Sequence, residues 1–121
     1  MLGMIMWQKA KRAVSMSVAR DIASVAADHG IQSVGVFVDE SAQQIQDACG
    51  ESGIQVAQLH GSGARQALCQ LPESLHVVYV MNSDDQGVIQ TPTPAVLAEQ
   101  TEQVLSRYSY CNNQCNALML L

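Results

Sequence analysis

The sequence predicts an α/β protein in which about four parallel strands alternate with helices. Apolar runs of strand length occur at residues 3–7, 34–38, 56–60 and 77–81, and each ends in polar residues. The last three begin 22 and 21 residues apart, with helix-type sequence between them. Strands joined by single helices run parallel with right-handed crossovers. Four strands cannot close a barrel, so the segment forms a small open α/β layer or part of a larger barrel.

Length and composition indicate one globular domain and exclude several classes of protein. The chain has 121 residues, 48% of them hydrophobic, which is enough for a core and too apolar for disorder. A net charge of −5 argues against binding to nucleic acid or to an anionic membrane. No apolar stretch of about 18 residues predicts a membrane span, and the N-terminus does not read as a signal peptide.

The first strand, at residues 3–7, leads into a basic loop over residues 8–15. A helix is expected over 17–29, with Gly30 as its C-terminal cap. Helical spacing predicts one apolar face, formed by Val18, Ile22, Val25 and Ala26.

The next strand, residues 33–38, is a continuous Val-rich run, which is typical of a strand buried on both faces. Ser41 is a good N-cap for a helix over 42–49, because Gln44 can complete a capping box. Gly50 and Gly53 are expected to end this helix and turn the chain.

A strand over 55–59 and a short helix over 64–70 follow, then a strand over 76–81 and a polar turn. We place a boundary at residue 90, because residues 91–94 read as a linker and no fifth strand continues the repeat. The divergent tail, residues 91–121, has helical spacing over 95–108 and ends in an exposed apolar segment.

A basic cluster follows the first strand, with Lys9, Lys11 and Arg12 within four positions. The planar fork of Arg suits a carboxylate or a phosphate, so the cluster is a candidate anion site. A solvated loop that happens to be basic is the alternative.

Two further strand ends carry titratable groups. His60 follows the strand 55–59, where it is a candidate for a catalytic or pocket-lining role, although a histidine satisfied by backbone groups is more common. Gly61 and Gly63 permit close backbone approach or a positive φ. Asp39 and Glu40 could act as acid or base, or cap the next helix.

Turn formation is the expected role of Asp84 and Asp85. The four cysteines indicate buried free thiols at Cys49 and Cys69. Cys111 and Cys115 could form a metal or disulfide pair, but no companion motif accompanies them. No nucleotide-binding glycine motif occurs, and no metal site is predicted.

Four sequence segments, taken together, point to one protein family more specifically than the spacing of the strands does. Residues 3–15, GMIMWQKAKRAVS, resemble the second-strand motif of phosphoribosylanthranilate isomerase, G-F-x-F-x-P-x-S-x-R-x-V-S, with Gln8 and Ala10 in place of Pro and Ser. VGVFV, QLHG and VVYV resemble its third, fourth and fifth strands, in the right order and at the right distances. The resemblance covers about residues 3–90 and implies strands two to five of a (β/α)8 TIM barrel.

The resemblance also implies a function. The family isomerises N-(5-phosphoribosyl)anthranilate to 1-(2-carboxyphenylamino)-1-deoxyribulose 5-phosphate in tryptophan biosynthesis and needs no cofactor. Arg12 maps onto the arginine that holds the anthranilate carboxylate, and a pocket-lining role stays the secondary candidate for His60. The catalytic Cys after strand one and Asp after strand six have no counterpart here, and Cys49 and Cys69 cannot replace the base. We therefore expect no catalytic residue in this chain.

The resemblance leaves two functional interpretations open. The chain is an isomerase by descent and inactive alone, or it is a non-catalytic fragment that associates with a barrel partner or its own copy through open edges of strands 3–7 and 76–81. Phosphorylated small molecules are the expected ligands, with no nucleic-acid or membrane partner. The plant-like sequence suggests a plastid; otherwise the cytoplasm is expected.

Overall fold

The computed structural model describes residues 1–92 and the strand 117–120. The elements follow the β-α order that the sequence predicts. In chain order they are β1 (Leu2–Ile5), α1 (Met16–Asp28), β2 (Ser33–Phe37), α2 (Ala42–Ser52), β3 (Val56–Leu59), α3 (Ser62–Gln66), a 3-10 helix (Leu68–Gln70), β4 (His76–Asn82) and β5 (Ala117–Leu120). No helix of the described residues is long and apolar enough to cross a membrane.

The chain divides into two compact units, Met1–Val77 and Val78–Leu121. In the first unit β1 pairs with β2 and β2 with β3, and both pairs are parallel. Ile5, Val36 and Gln58 therefore form one row across the three strands. This arrangement confirms the predicted parallel α/β layer.

The core of the first unit lies on the helix side of its sheet. Met4, Phe37 and Leu59 point to that side and are buried, whereas the row on the opposite face is only half-buried. Alternation along each strand explains the difference, because successive side chains point to opposite faces. The prediction that strand 33–38 is buried on both faces therefore holds only in part.

The predicted apolar face of α1 is correct only in part: Ala26 is buried and Ile22 half-buried, but the two valines are not. Val18 and Val25 are 44% and 58% exposed, and the buried stripe consists of Ala19, Ala23 and Ala26. Spacing permits either face, since both stripes follow the helical period. Alanine presents little bulk, so the small-residue stripe lets the helix approach the sheet closely.

The start of α2 agrees with the prediction, and its end agrees in part, at Gly53 but not at Gly50. Ser41 and Gln44 form the predicted capping box. The helix continues through Gly50 to Ser52 and ends at Gly53, whose φ of +75° is the left-handed conformation that glycine adopts without strain. Gly50 lies inside the helix, where glycine is less favourable than alanine but does not end the helix.

The segment predicted as a helix over 64–70 is two short elements. Helix α3 ends at Gln66, and residues 68–70 form a 3-10 turn. Cys69 lies on that turn and is exposed, so its predicted burial is wrong. Cys49 is buried as predicted, and burial raises the pKa of its thiol to about 11.

The second unit pairs β4 with β5 in antiparallel register, from Tyr79–Leu120 to Asn82–Ala117. The sequence predicts neither this strand nor this pairing, and it expects an unpaired edge at 76–81. Asp84 is the turn residue that the sequence predicts, since its carboxylate accepts hydrogen bonds from the backbone N–H groups of Gln86 and Val88. The predicted helix at 95–108 and the cysteines of the tail lie outside the described residues.

Candidate functional site

A cleft of about 560 Å³ opens where the carboxyl ends of β1 and β2 meet helices α1 and α2. Its lining combines apolar and charged side chains, among them Met6, Trp7, Lys9, Phe37 and Asp39. The carboxyl ends of parallel strands are where barrel folds place their chemistry. The loops at this end are therefore the candidate site.

The loop after β1 consists of two consecutive turns. The N–H of Ala10 donates to the carbonyl of Trp7 at 3.0 Å, and the N–H of Ala13 donates to that of Ala10 at 3.1 Å. The N–H of Val14 then returns to the carbonyl of Ile5 at 3.0 Å. The two ends of the loop are thus held side by side, and the basic cluster lies on the turns between them.

One cation of the cluster is already paired. Lys9 Nζ lies 2.9 Å from Asp39 Oδ2, and Trp7 Nε1 donates to Asp39 Oδ1 at 2.6 Å. The ammonium also lies 5.8 Å from the centroid of the Trp7 ring, within cation–π range. These contacts link the loop after β1 to the loop after β2. The ammonium of Lys9 is therefore neutralised by the Asp39 carboxylate, and this ion pair serves to hold the two loops together.

Neither predicted acid–base candidate after β2 is poised for proton transfer. The hydrogen bond from Lys9 is the main cause that lowers the pKa of Asp39, and the bond from Trp7 adds to it, against an opposing effect of desolvation. Glu40 Oε2 accepts from the backbone N–H groups of Val38 at 2.7 Å and Asp39 at 3.2 Å. Both carboxylates thus organise the loop, while Ser41 caps α2.

Arg12 is exposed, on the second turn of the loop after β1. Its guanidinium has no hydrogen-bond or ion-pair partner in the part of the chain that the structure describes, and it does not line the cleft. It is thus available to an incoming anion. Lys11 shares this exposure, so the structure separates the predicted cluster into one paired and two unpaired cations.

His60 lies exposed after β3 and outside the lining of the cleft. Its contacts are made by the backbone: its N–H donates to the carbonyl of Phe37 at 2.9 Å, and its own carbonyl accepts from Arg65 Nη1 at 2.6 Å. The pocket-lining role of His60 remains a prediction. Among the described residues no cluster of His, Cys, Asp and Glu could hold a metal ion.

The loop after β3 packs closely on the end of β2. A Cβ atom at Gly61 would lie 2.2 Å from the carbonyl oxygen of Val38, and one at Gly63 would lie 2.7 Å from Cα of Asp39. The predicted role of these glycines in close backbone approach is confirmed, and neither has a positive φ.

Comparison with known sequences identifies the family. Residues 1–105 match the family described as PRAI, N-(5'phosphoribosyl)anthranilate (PRA) isomerase. The chain belongs to this family. The match extends beyond residue 90, where the resemblance was expected to end.

The matches to similar proteins cover most of this chain but less than half of each similar protein. The chain is 40% identical over 93 residues to N-(5'-phosphoribosyl)anthranilate isomerase 1, chloroplastic, of Arabidopsis thaliana, covering 77% of this chain and 34% of that protein. It is 33% identical to the isomerase of Chlamydia felis, covering 75% of this chain and 44% of that protein. The chain therefore spans less than half the length of these relatives.

Solved structures confirm the fold. The phosphoribosyl anthranilate isomerase of Thermotoga maritima superposes with a TM-score of 0.61 at 23% identity, over 87% of this chain and 45% of that chain. The parallel strands and their helices thus belong to the α/β class and correspond to part of a (β/α)8 barrel.

The pairing of Lys9 with Asp39 was not predicted from the sequence. A signal exists, because both residues follow strands that are adjacent in a parallel sheet, and opposite charges there can meet. The sequence alone does not tell which of the three cations of the cluster reaches the carboxylate, because that depends on the path of the two turns.

Proposed function

We propose that this chain carries the anthranilate-carboxylate site of a phosphoribosylanthranilate isomerase that acts in tryptophan biosynthesis. Family membership supports the reaction class, and a phosphoribosyl anthranilate isomerase of similar fold was solved in complex with reduced 1-(o-carboxyphenylamino)-1-deoxyribulose 5-phosphate. The observation that carries the proposal is the state of Arg12. It is an exposed guanidinium on a hydrogen-bonded turn beside the carboxyl end of β1, while the neighbouring Lys9 is neutralised.

The chemistry follows from the properties of the two cations. A guanidinium can donate two parallel hydrogen bonds to one carboxylate, and its charge does not depend on pH in the physiological range. Lys9 is paired with Asp39, which leaves Arg12 and Lys11 as the cations of the cluster that face solvent, and of these two Arg12 has the planar fork that matches a carboxylate. The aromatic carboxylate of the substrate would thus be oriented by Arg12, and the phosphate and the proton transfers would require groups beyond strands β1–β4.

Arg12→Ala is expected to weaken binding of anthranilate to the 121-residue chain by at least about tenfold, because charge-assisted hydrogen bonds contribute about 1.5–3 kcal/mol. Binding is measured by NMR titration of the labelled protein. Lys11→Ala is the matched control, since it removes the same charge from the same loop and should change the affinity less than about twofold. Equal affinities of the wild type and Arg12→Ala would refute the role of Arg12.

The plastid is our proposed location for the gene product. Arabidopsis isomerases 1, 2 and 3 are 39–40% identical to this chain and carry the name chloroplastic. A fluorescent-protein fusion of the complete gene product that stays outside plastids would contradict this assignment.

A second candidate function is association with another copy of this chain. The half-buried row formed by Ile5, Val36 and Gln58 supports it, because the opposite side chains of the same strands are fully buried. Strand β1 pairs with β2 alone among the described strands. Its other edge is covered at Ile5 by a bridge to Ala13, so residues 2–4 form the part of the edge that can pair with another chain.

Sedimentation velocity tests this second candidate. We expect the 121-residue chain to sediment as a dimer at concentrations near 100 μM, about those at which weak protein interfaces form. Val36→Asp should shift the population to monomer, because it places a charge in the half-buried row. A monodisperse wild-type monomer at this concentration would refute the association.

A further inference from the structure

We propose that Gln8 is a positioning residue that fixes the loop carrying Arg12. The inference rests on the proposed function, in which Arg12 binds the carboxylate of the substrate. Gln8 lies on the first turn and lines the cleft, and we assign its effect on the ligand to the conformation of the loop that carries Arg12.

The position of Gln8 within the first turn is the first argument. The hydrogen bond from Ala10 N–H to the carbonyl of Trp7 closes a four-residue turn in which Gln8 is the second residue. Proline is favoured at that position because its ring fixes φ near −65°. Gln8 stands where the motif G-F-x-F-x-P has its proline, so this chain must restrain the turn by other means.

The side-chain amide supplies that restraint. Gln8 Nε2 donates to the carbonyl of Met6 and to the carbonyl of Val14, both at 3.0 Å. These carbonyls belong to the two ends of the loop, which the backbone bond from Val14 to Ile5 also joins. One side chain thus bridges the entry and the exit of the loop that holds Arg12.

The hydrogen bonds of Gln8 are expected to affect ligand affinity more than the stability of the fold. Gln8 is an exposed residue, so its side chain contributes little to burial of apolar surface. A loop that is ordered before binding loses less conformational entropy when the ligand arrives. Holding both loop ends together therefore raises the affinity of Arg12 for a carboxylate.

The experiment compares Gln8→Ala and Gln8→Pro with the wild-type 121-residue chain. Gln8→Ala should weaken anthranilate binding about tenfold, equivalent to about 1.4 kcal/mol. It should also speed hydrogen exchange at the amides of Ala13 and Val14, which close the loop. Gln8→Pro should bind within about threefold of the wild type, because the ring restores the turn without the amide.

Gln43→Ala is the matched control. Gln43 is also exposed, and its Nε2 donates to Asp47 Oδ1 at 2.8 Å on helix α2, away from the loop. Its substitution should change neither the affinity nor the exchange of the loop amides. A urea titration of each variant measures any general loss of stability separately.

The outcomes separate this inference from the proposed function. If Arg12→Ala abolishes binding while Gln8→Ala changes neither affinity nor loop exchange, the role of Gln8 is refuted and the carboxylate site stands. If Arg12→Ala has no effect on affinity, the proposed function fails. The loop-fixing role of Gln8 is then judged by hydrogen exchange alone, and unchanged exchange at Ala13 and Val14 in Gln8→Ala would refute it. Equal losses of affinity in Gln8→Ala and Gln8→Pro would also overturn it.

Discussion

The 121-residue chain is expected to give no measurable turnover of N-(5'-phosphoribosyl)anthranilate, even with the anthranilate site that we propose around Arg12. An Amadori rearrangement moves protons at two separate atoms, and each positioned acid or base contributes about 10²–10⁴-fold to the rate. The family resemblance assigns these groups to a Cys after the first strand and an Asp after the sixth. By the same resemblance, residues 3–90 correspond to strands two to five, and neither group is expected among them.

The titratable side chains of the described residues do not replace the missing pair. Cys49 is buried, and its pKa of about 11 leaves almost no thiolate at neutral pH. The pKa of Asp39 is lowered by its hydrogen bond from Lys9, which makes the carboxylate a weak base. His60 is exposed and lies outside the cleft.

The assay follows substrate and product by chromatography, with the Thermotoga maritima isomerase as the active reference. Turnover above the uncatalysed rate that disappears in Arg12→Ala would contradict the prediction and would show that this chain holds its own acid and base. Turnover that survives Arg12→Ala would instead indicate a contaminating isomerase from the expression host.

The sequence predicts those features of this fold that depend on local patterns. The capping box of Ser41 and Gln44 requires only residues three positions apart, and the strands are apolar runs bounded by polar residues. The buried face of α1 was predicted only in part, at Ala26, because the choice between the Val18 and Ala19 stripes depends on how closely the helix packs on the sheet.

For the candidate site, the sequence predicted the positions of the charged residues at the strand ends but not the contacts that they make. The basic loop and the acidic residues after β2 were identified by their position at strand ends. The ion pair that joins Lys9 to Asp39 was not, because it connects residues 30 positions apart through side-chain geometry. The bonds of Gln8 also depend on the path of the loop, since both of its acceptors are backbone carbonyls.

Gly61→Ala is expected to destabilise the chain by about 3 kcal/mol, the upper part of the range for overpacking a close contact. The added Cβ would lie 2.2 Å from the carbonyl oxygen of Val38 and 2.6 Å from its Cγ1. Backbone atoms cannot rotate away as a flexible side chain can. The contact is also fixed from both sides, because His60 N–H donates to Phe37 and Ala64 N–H donates to Val38.

The displacement would reach the candidate site. Val38 directly precedes Asp39, the carboxylate that holds Trp7 and Lys9. Movement of the end of β2 would therefore loosen the link between the loops after β1 and β2. Trp7 is the single tryptophan of the chain, so its fluorescence reports this change directly.

Gly50→Ala is the matched control, because it adds the same methyl group where no atom lies within 4 Å of the new Cβ. Gly50 is an exposed residue inside helix α2, and alanine at such a position stabilises a helix by about 0.5–1 kcal/mol. Urea denaturation followed by Trp7 fluorescence should thus move the two midpoints in opposite directions, down for Gly61→Ala and up for Gly50→Ala. A midpoint of Gly61→Ala equal to that of the wild type would mean that the loop after β3 does not press against the end of β2 in solution, and the close approach of the two strand ends would have to be abandoned.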